Sequence, residues 1–100
     1  MQEKELIIKE FDVQENVSLY ILPAERSRAI YIGTSVYDCF FIIQGKDNRT
    51  VGVLIGPKAE SIKIRKLFTL ELLRDAGLPL GDYSIYERKQ SKELIKKITI

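Results

Sequence analysis

The stretch "YDCFFIIQGKDNRTVGVLI", Tyr37–Ile55, decides the fold class. It is apolar at five consecutive positions, Cys39 to Ile43, before it reaches Gln44. An unbroken apolar run of this length reads as a strand covered on both faces. "GKDNR" (Gly45–Arg49) then gathers turn formers: glycine for unusual backbone angles, Asp and Asn for local hydrogen bonds. "TVGVLI" (Thr50–Ile55) returns as the partner strand, with Val51, Val53 and Ile55 pointing one way. Gly52 leaves a gap there that a large neighbouring side chain can fill.

Upstream of this hairpin, "VSLYIL" (Val17–Leu22) alternates, with Val17, Leu19 and Ile21 on one face and Ser18, Tyr20 and Leu22 on the other. "ELIIKEFDV" (Glu5–Val13) reads as an earlier strand of mixed periodicity. "PAERS" is a loop, since Pro23 lacks a ladder donor, and "RAIYIG" (Arg28–Gly33) follows as a strand that closes a hairpin with Val17–Leu22.

Downstream, the spacing predicts a helix over Ile64–Ala76. Ile64, Leu67, Phe68 and Leu72 form one apolar stripe; Leu70, Leu73 and Ala76 form a second, roughly opposite. A helix apolar on two sides has two neighbours, both within the subunit or one of them in a second chain. Gly56 reads as the turn before this region and Pro57 as a helix-start residue. Gly77 suits the C-cap and Pro79 stops continuation. "GDYSIYE" (Gly81–Glu87) reads as the last strand. Ser91 can cap a closing helix with Glu93 in its first turn and Lys96 and Lys97 in its last, Leu94, Ile95 and Ile98 forming its apolar side. The pattern as a whole predicts a single α+β domain spanning residues 1–100. It holds a mainly antiparallel sheet or sandwich of about six strands with two flanking helices.

Composition narrows the function. The chain is 45% hydrophobic and 30% charged, as a soluble globular domain is. No apolar run approaches the roughly 20 residues of a membrane-spanning helix. The charged start "MQEKELIIKE" has no signal-peptide core, so a cytoplasmic location is expected. One cysteine, Cys39, fits a reducing compartment and forms no internal disulfide. There is no histidine, which removes the usual acid–base group, any Ser–His or Cys–His pair, and nearly every zinc site. Cys39, flanked by Asp38 and Phe40 in an apolar strand, reads as a small core residue and not as a nucleophile.

"VGVLIGPKA" imitates a phosphate-binding loop but fails as one. A phosphate loop places four residues between its glycines and follows the second with Lys and a hydroxyl. Here three residues separate Gly52 from Gly56, Pro57 removes a donor N–H, and Ala59 follows Lys58. No enzyme activity, metal or cofactor is expected.

Net charge is +2, divided as six basic against eight acidic residues in 1–50 and ten against six in 51–100. Arg88, Lys89, Lys92, Lys96 and Lys97 are opposed at the C-terminal end only by Glu93, and on a closing helix they would face outward. They are the candidate partner-binding residues, for an acidic protein surface. The alternative is a small nucleic-acid-binding α+β domain using this basic surface with Tyr31, Tyr37 and Tyr86. The aromatic–glycine strand signature of an RNA-recognition motif is absent.

The order "AIYIG", "CFFIIQ", "VGVLIG", "IRKLFTLELLRDAG", "DYSIYE", "SKELIKKI" resembles the small proteasome-assembly chaperones of the type called three and four, and of the two it is more similar to the fourth. The resemblance covers roughly Val17 to Ile98 and lies in pattern and spacing. Pro57 departs from it, standing where the fourth type tends to have an acidic residue. Glu5–Val13 has no counterpart, and "KKITI" lacks the hydrophobic-Tyr ending of assembly chaperones that dock by their tails. The resemblance implies a non-enzymatic chaperone, archaeal-like and pairing with itself as a homodimer, that holds 20S proteasome α-subunits during ring formation.

Overall fold

The computed structural model describes residues 9–22, 38–89 and 91–100. Its strands are β1 (Lys9–Gln14), β2 (Val17–Ile21), β3 (Asp38–Gln44), β4 (Thr50–Pro57), β5 (Asp82–Arg88) and β6 (Lys92–Thr99); its helices are α1 (Ser61–Arg65) and α2 (Leu70–Asp75). The strands form one antiparallel sheet in the order β1-β2-β4-β3-β5-β6. The fold is thus α+β. The strand expected at Arg28–Gly33, the "PAERS" loop before it, and the start of the strand expected from Glu5 lie outside the described residues, as do Tyr31 and Tyr37. The hairpin expected to pair Val17–Leu22 with Arg28–Gly33 is corrected, since β2 has β1 on one edge and β4 on the other.

The β3–β4 hairpin occupies the centre. Phe41 pairs with Leu54 and Ile43 with Gly52. The turn between them contains Asp47 and Asn48, both at positive φ, and closes with the Gly45 N–H on the Arg49 carbonyl at 2.8 Å. Asp and Asn tolerate that conformation because their short side chains bond locally. The methyl ends of Ile43 and Ile21 fill the gap at Gly52, 3.3 and 3.4 Å from where its Cβ would stand.

From β4 the chain crosses one face of the sheet through α1 and α2. Ile64, Phe68 and Leu73 press onto Leu19, Phe41, Ile43, Leu54 and Ile85, all fully buried. The Phe41 and Phe68 ring centroids lie 5.3 Å apart, tilted by 54°, a favoured aromatic arrangement. On the opposite face Leu22, Ile42 and Val53 are also buried. β3 is therefore buried on both sides, as its unbroken apolar run requires.

Three further sequence expectations are corrected. First, the helix expected at Ile64–Ala76 is two short helices. Thr69 is extended (φ −130°, ψ 164°) and its hydroxyl accepts from the Leu72 N–H at 3.1 Å, which caps α2 and ends the first segment. The break turns Ile64, Phe68, Leu73 and Ala76, drawn from both predicted stripes, onto the same sheet face. Only Leu70 of those stripes stays exposed. Second, Gly56 is not a turn: β4 runs on to Pro57, and a single 3₁₀ turn, Lys58–Glu60, follows. Gly56 is needed for close approach, since a Cβ there would stand 2.6 Å from Ile64 Cδ1 and 3.1 Å from Val17 Cγ2. Third, the closing helix from Ser91 is the strand β6, paired to β5 from Arg88↔Lys92 to Asp82↔Thr99. A bulge between the Ile85 and Tyr86 pairings leaves Ile95 as the extra residue. It also gives Leu94, Ile95 and Ile98 the spacing that imitates a helix.

α2 ends as expected. Gly77 has φ +88°, and the Leu78 N–H reaches back to the Leu73 carbonyl at 3.2 Å, a Schellman closure.

Candidate functional site

β6 carries the basic residues. Alternation along β5 buries Tyr83, Ile85 and Glu87 on the helix side and leaves Ser84, Tyr86 and Arg88 on the other. The register then assigns the β6 side chains. Ile98, Lys96 and Glu93 lie on the helix side, opposite Tyr83, Ile85 and Glu87; Lys97, Leu94 and Lys92 lie on the outer side, opposite Ser84, Tyr86 and Arg88.

This placement divides the five candidate residues. Arg88, Lys92 and Lys97 share the outer face. Lys92 Nζ stands 4.6 Å from the centroid of the Tyr86 ring, a cation–π contact. Leu94, 49% exposed, lies between Lys92 and Lys97. Arg88 and Lys92 are direct cross-strand neighbours, and like charges in that position repel. Among the described residues none of these three cations has an ion pair. Glu93, the only acid on β6, lies on the other face, and Asp82 accepts a hydrogen bond from Thr99 Oγ1 at 2.6 Å. The outer face of the β5–β6 hairpin thus holds three cations without an ion pair among the described residues around an exposed leucine, with the Asp82 carboxylate on the same face beyond Lys97.

Lys96 and Lys89 do not join them. Lys96 reaches to the helix side and its Nζ donates to the Phe68 carbonyl, in the link between α1 and α2, at 2.6 Å. The expectation that it faces outward on a helix is corrected on both counts. Lys89 approaches Glu87, Nζ to Oε1 3.9 Å.

Glu87 is a residue that sequence reasoning missed. It is 3% exposed. The guanidinium of Arg65, the last residue of α1, grips its Oε1: Nε donates at 2.9 Å and the terminal nitrogen makes a second, shorter contact. The signal was present in the sequence, since Glu87 falls in phase with Tyr83 and Ile85, and a carboxylate in core phase demands a cation. The pair ties α1 to the sheet.

The Cys39 thiol donates to the Pro57 carbonyl at 3.5 Å. Burial, with the nearby charge of Glu87, pushes it above its usual value, so it stays a protonated thiol and a poor nucleophile. A cavity of about 530 Å³ opens at the far end of the sheet, between the Gly45–Arg49 turn and Pro79–Tyr83. Lys46, Arg49, Asp47 and Asp82 give its rim charges of both signs. Within it the Tyr83 hydroxyl is engaged by the Pro79 carbonyl at 2.5 Å. Among the described residues there is no cluster of His, Cys, Asp and Glu suited to a metal, and no helix long and apolar enough to cross a membrane.

Compared with known proteins, the chain matches no family model, no curated protein and no solved structure.

Proposed function

We propose that this protein is a non-enzymatic binding module that holds an acidic protein surface against Arg88, Lys92 and Lys97. The observation that supports this reading is the outer face of the β5–β6 hairpin, where three cations without an ion pair among the described residues surround an exposed leucine. Arg88 and Lys92 repel one another across the strands, and an incoming carboxylate relieves that repulsion. The resemblance in element order makes proteasome α-subunits the partner to test first. On this reading the protein acts in the cytoplasm as a homodimeric assembly chaperone.

The test is direct. Purified α-subunits are mixed with the protein and with its Arg88→Glu/Lys92→Glu/Lys97→Glu variant, and association is followed by light scattering. Wild-type protein is expected to co-elute with α-subunits and to associate faster at low salt. The variant is expected to lose that acceleration. If both bind alike, the surface is only solvated charge. If single-stranded RNA binds and α-subunits do not, the nucleic-acid alternative replaces this reading.

A further inference from the structure

β6 is one of the two edge strands of the sheet among the described residues, the other being β1, and every position from Lys92 to Lys97 except Ile95 is exposed. Its backbone pattern follows from the end of the ladder. Gly81 and Ile100 exchange both hydrogen bonds, at 3.2 and 2.8 Å. In an antiparallel pair such doubly bonded positions alternate with unbonded ones. The pairs Tyr83↔Ile98 and Ile85↔Lys96 are then bonded, and Asp82↔Thr99 and Ser84↔Lys97 are not. The N–H and C=O groups of Thr99 and Lys97 consequently point away from β5, toward the open edge.

From this, resting on the reading of the outer face as an acidic-partner surface, we infer that β6 binds its partner by strand addition. The occupant is an extended acidic peptide segment that pairs with the free edge as a seventh strand. Its main chain bonds Lys97 and Thr99, and its outer-face side chains follow the order acidic, apolar, acidic to meet Lys92, Leu94 and Lys97. Main-chain pairing supplies affinity in this mode, and alternate side chains supply selectivity. The charges choose this occupant over a second copy of β6. Two β6 edges would bring like-charged outer faces together, and lysines with a bulge are the usual means of blocking such self-pairing. An acidic strand turns the same lysines from a barrier into partners.

The probe is a synthetic peptide, Ac-Thr-Glu-Thr-Val-Thr-Glu-Thr-amide, titrated into the full chain and followed by calorimetry and amide hydrogen exchange. It is expected to bind saturably and to slow exchange at the Lys97 and Thr99 amides. Methylating alternate peptide nitrogens, which deletes donors and keeps every charge, is expected to weaken binding about tenfold or more. Lys97→Pro removes an outward donor without touching the β5 ladder and is expected to do the same. Lys97→Gln, which removes the charge alone, is expected to cost only a few-fold and to flatten the salt dependence. If the methylated peptide binds the wild-type chain as well as the parent, strand addition is wrong and the basic-surface reading stands. If the parent peptide and its Lys-for-Glu counterpart bind equally, or neither binds, both readings fall.

Discussion

The Arg65–Glu87 pair predicts an asymmetry that a double-mutant cycle can measure. Both partners of an ion pair lose the same contact, but they are not left in the same place. Glu87 is 3% exposed, whereas the Arg65 and Lys89 side chains are 39% and 49% exposed. Arg65→Met strands a carboxylate away from water with only Lys89, at 3.9 Å, still near it. Removing one partner of a buried pair costs about 3–5 kcal/mol. Movement of Lys89 toward Glu87 offsets part of that, so a loss of about 2–3 kcal/mol is expected. Glu87→Leu leaves two cations that water already reaches, and it adds apolar surface beside Phe41, its partner in β3. Its expected cost is at most about 1 kcal/mol. The double variant, with no charge left to strand, should lie near the Glu87→Leu single variant. Urea unfolding with an unchanged m-value is the measurement. Equal losses for the two single variants, or a double variant as unstable as their sum, would show that the cost is lost packing between α1 and the sheet and not a stranded charge.

Other perturbations test the same architecture. Phe68→Ala empties a fully buried site facing Phe41 and should cost about 3–5 kcal/mol by chemical denaturation. Gly77→Ala meets no atom within 4 Å but must hold φ +88°, so a purely conformational loss of about 1 kcal/mol is expected, and Gly77→Asn should lose less. Thr69→Ala removes the α2 cap and should cost about 1 kcal/mol without fusing the two helices, since Phe68 and Leu73 stay bound to the sheet; far-ultraviolet circular dichroism should show no gain in helix. The Cys39 thiol, raised by burial above its usual 9.0, keeps its proton in the folded state where the unfolded chain loses it. Its contribution is therefore complete below about pH 9 and falls as pH rises through that value. Cys39→Ala should reduce this alkaline loss, measured by urea midpoints, leaving the part due to Tyr83 and Tyr20, which burial also raises.

The central hairpin was legible because each of its signals is local: a run covered on both sides, a turn of Gly, Asp and Asn, and an alternating return strand. The Gly77 cap was legible for the same reason. The helix break was not, because Lys66 to Thr69 continue the apolar spacing on either side and Leu72, not an acid, stands where a capping box would place Glu. β6 was misread through its bulge: one extra residue at Ile95 shifts a period of two into the i, i+1, i+4 spacing of a helix. The basic residues were found by counting. Their division into three on the outer face and two toward the helices depends on strand register, which composition does not carry.

The strand order also constrains how the chain is made. Three hairpins follow one another along the sequence, yet β2 finds its inner neighbour only in β4, and β3 finds its own only in β5. Growing from the N-terminus, the chain presents β1–β2 with one side unpaired until β4 emerges. The completed β3–β4 hairpin then carries the open edge of Phe40, Phe41, Ile42 and Ile43 until β5 arrives. That edge is the most apolar of the described strands, the kind that pairs with whatever strand is nearest. The β5–β6 hairpin thus works as a stopper: it replaces an adhesive edge with a lysine-lined one. A nascent chain stalled or cleaved before Asp82 should aggregate through β3 and not merely remain unfolded, and joins that wait on distant partners make the assembly of this sheet slow for its size.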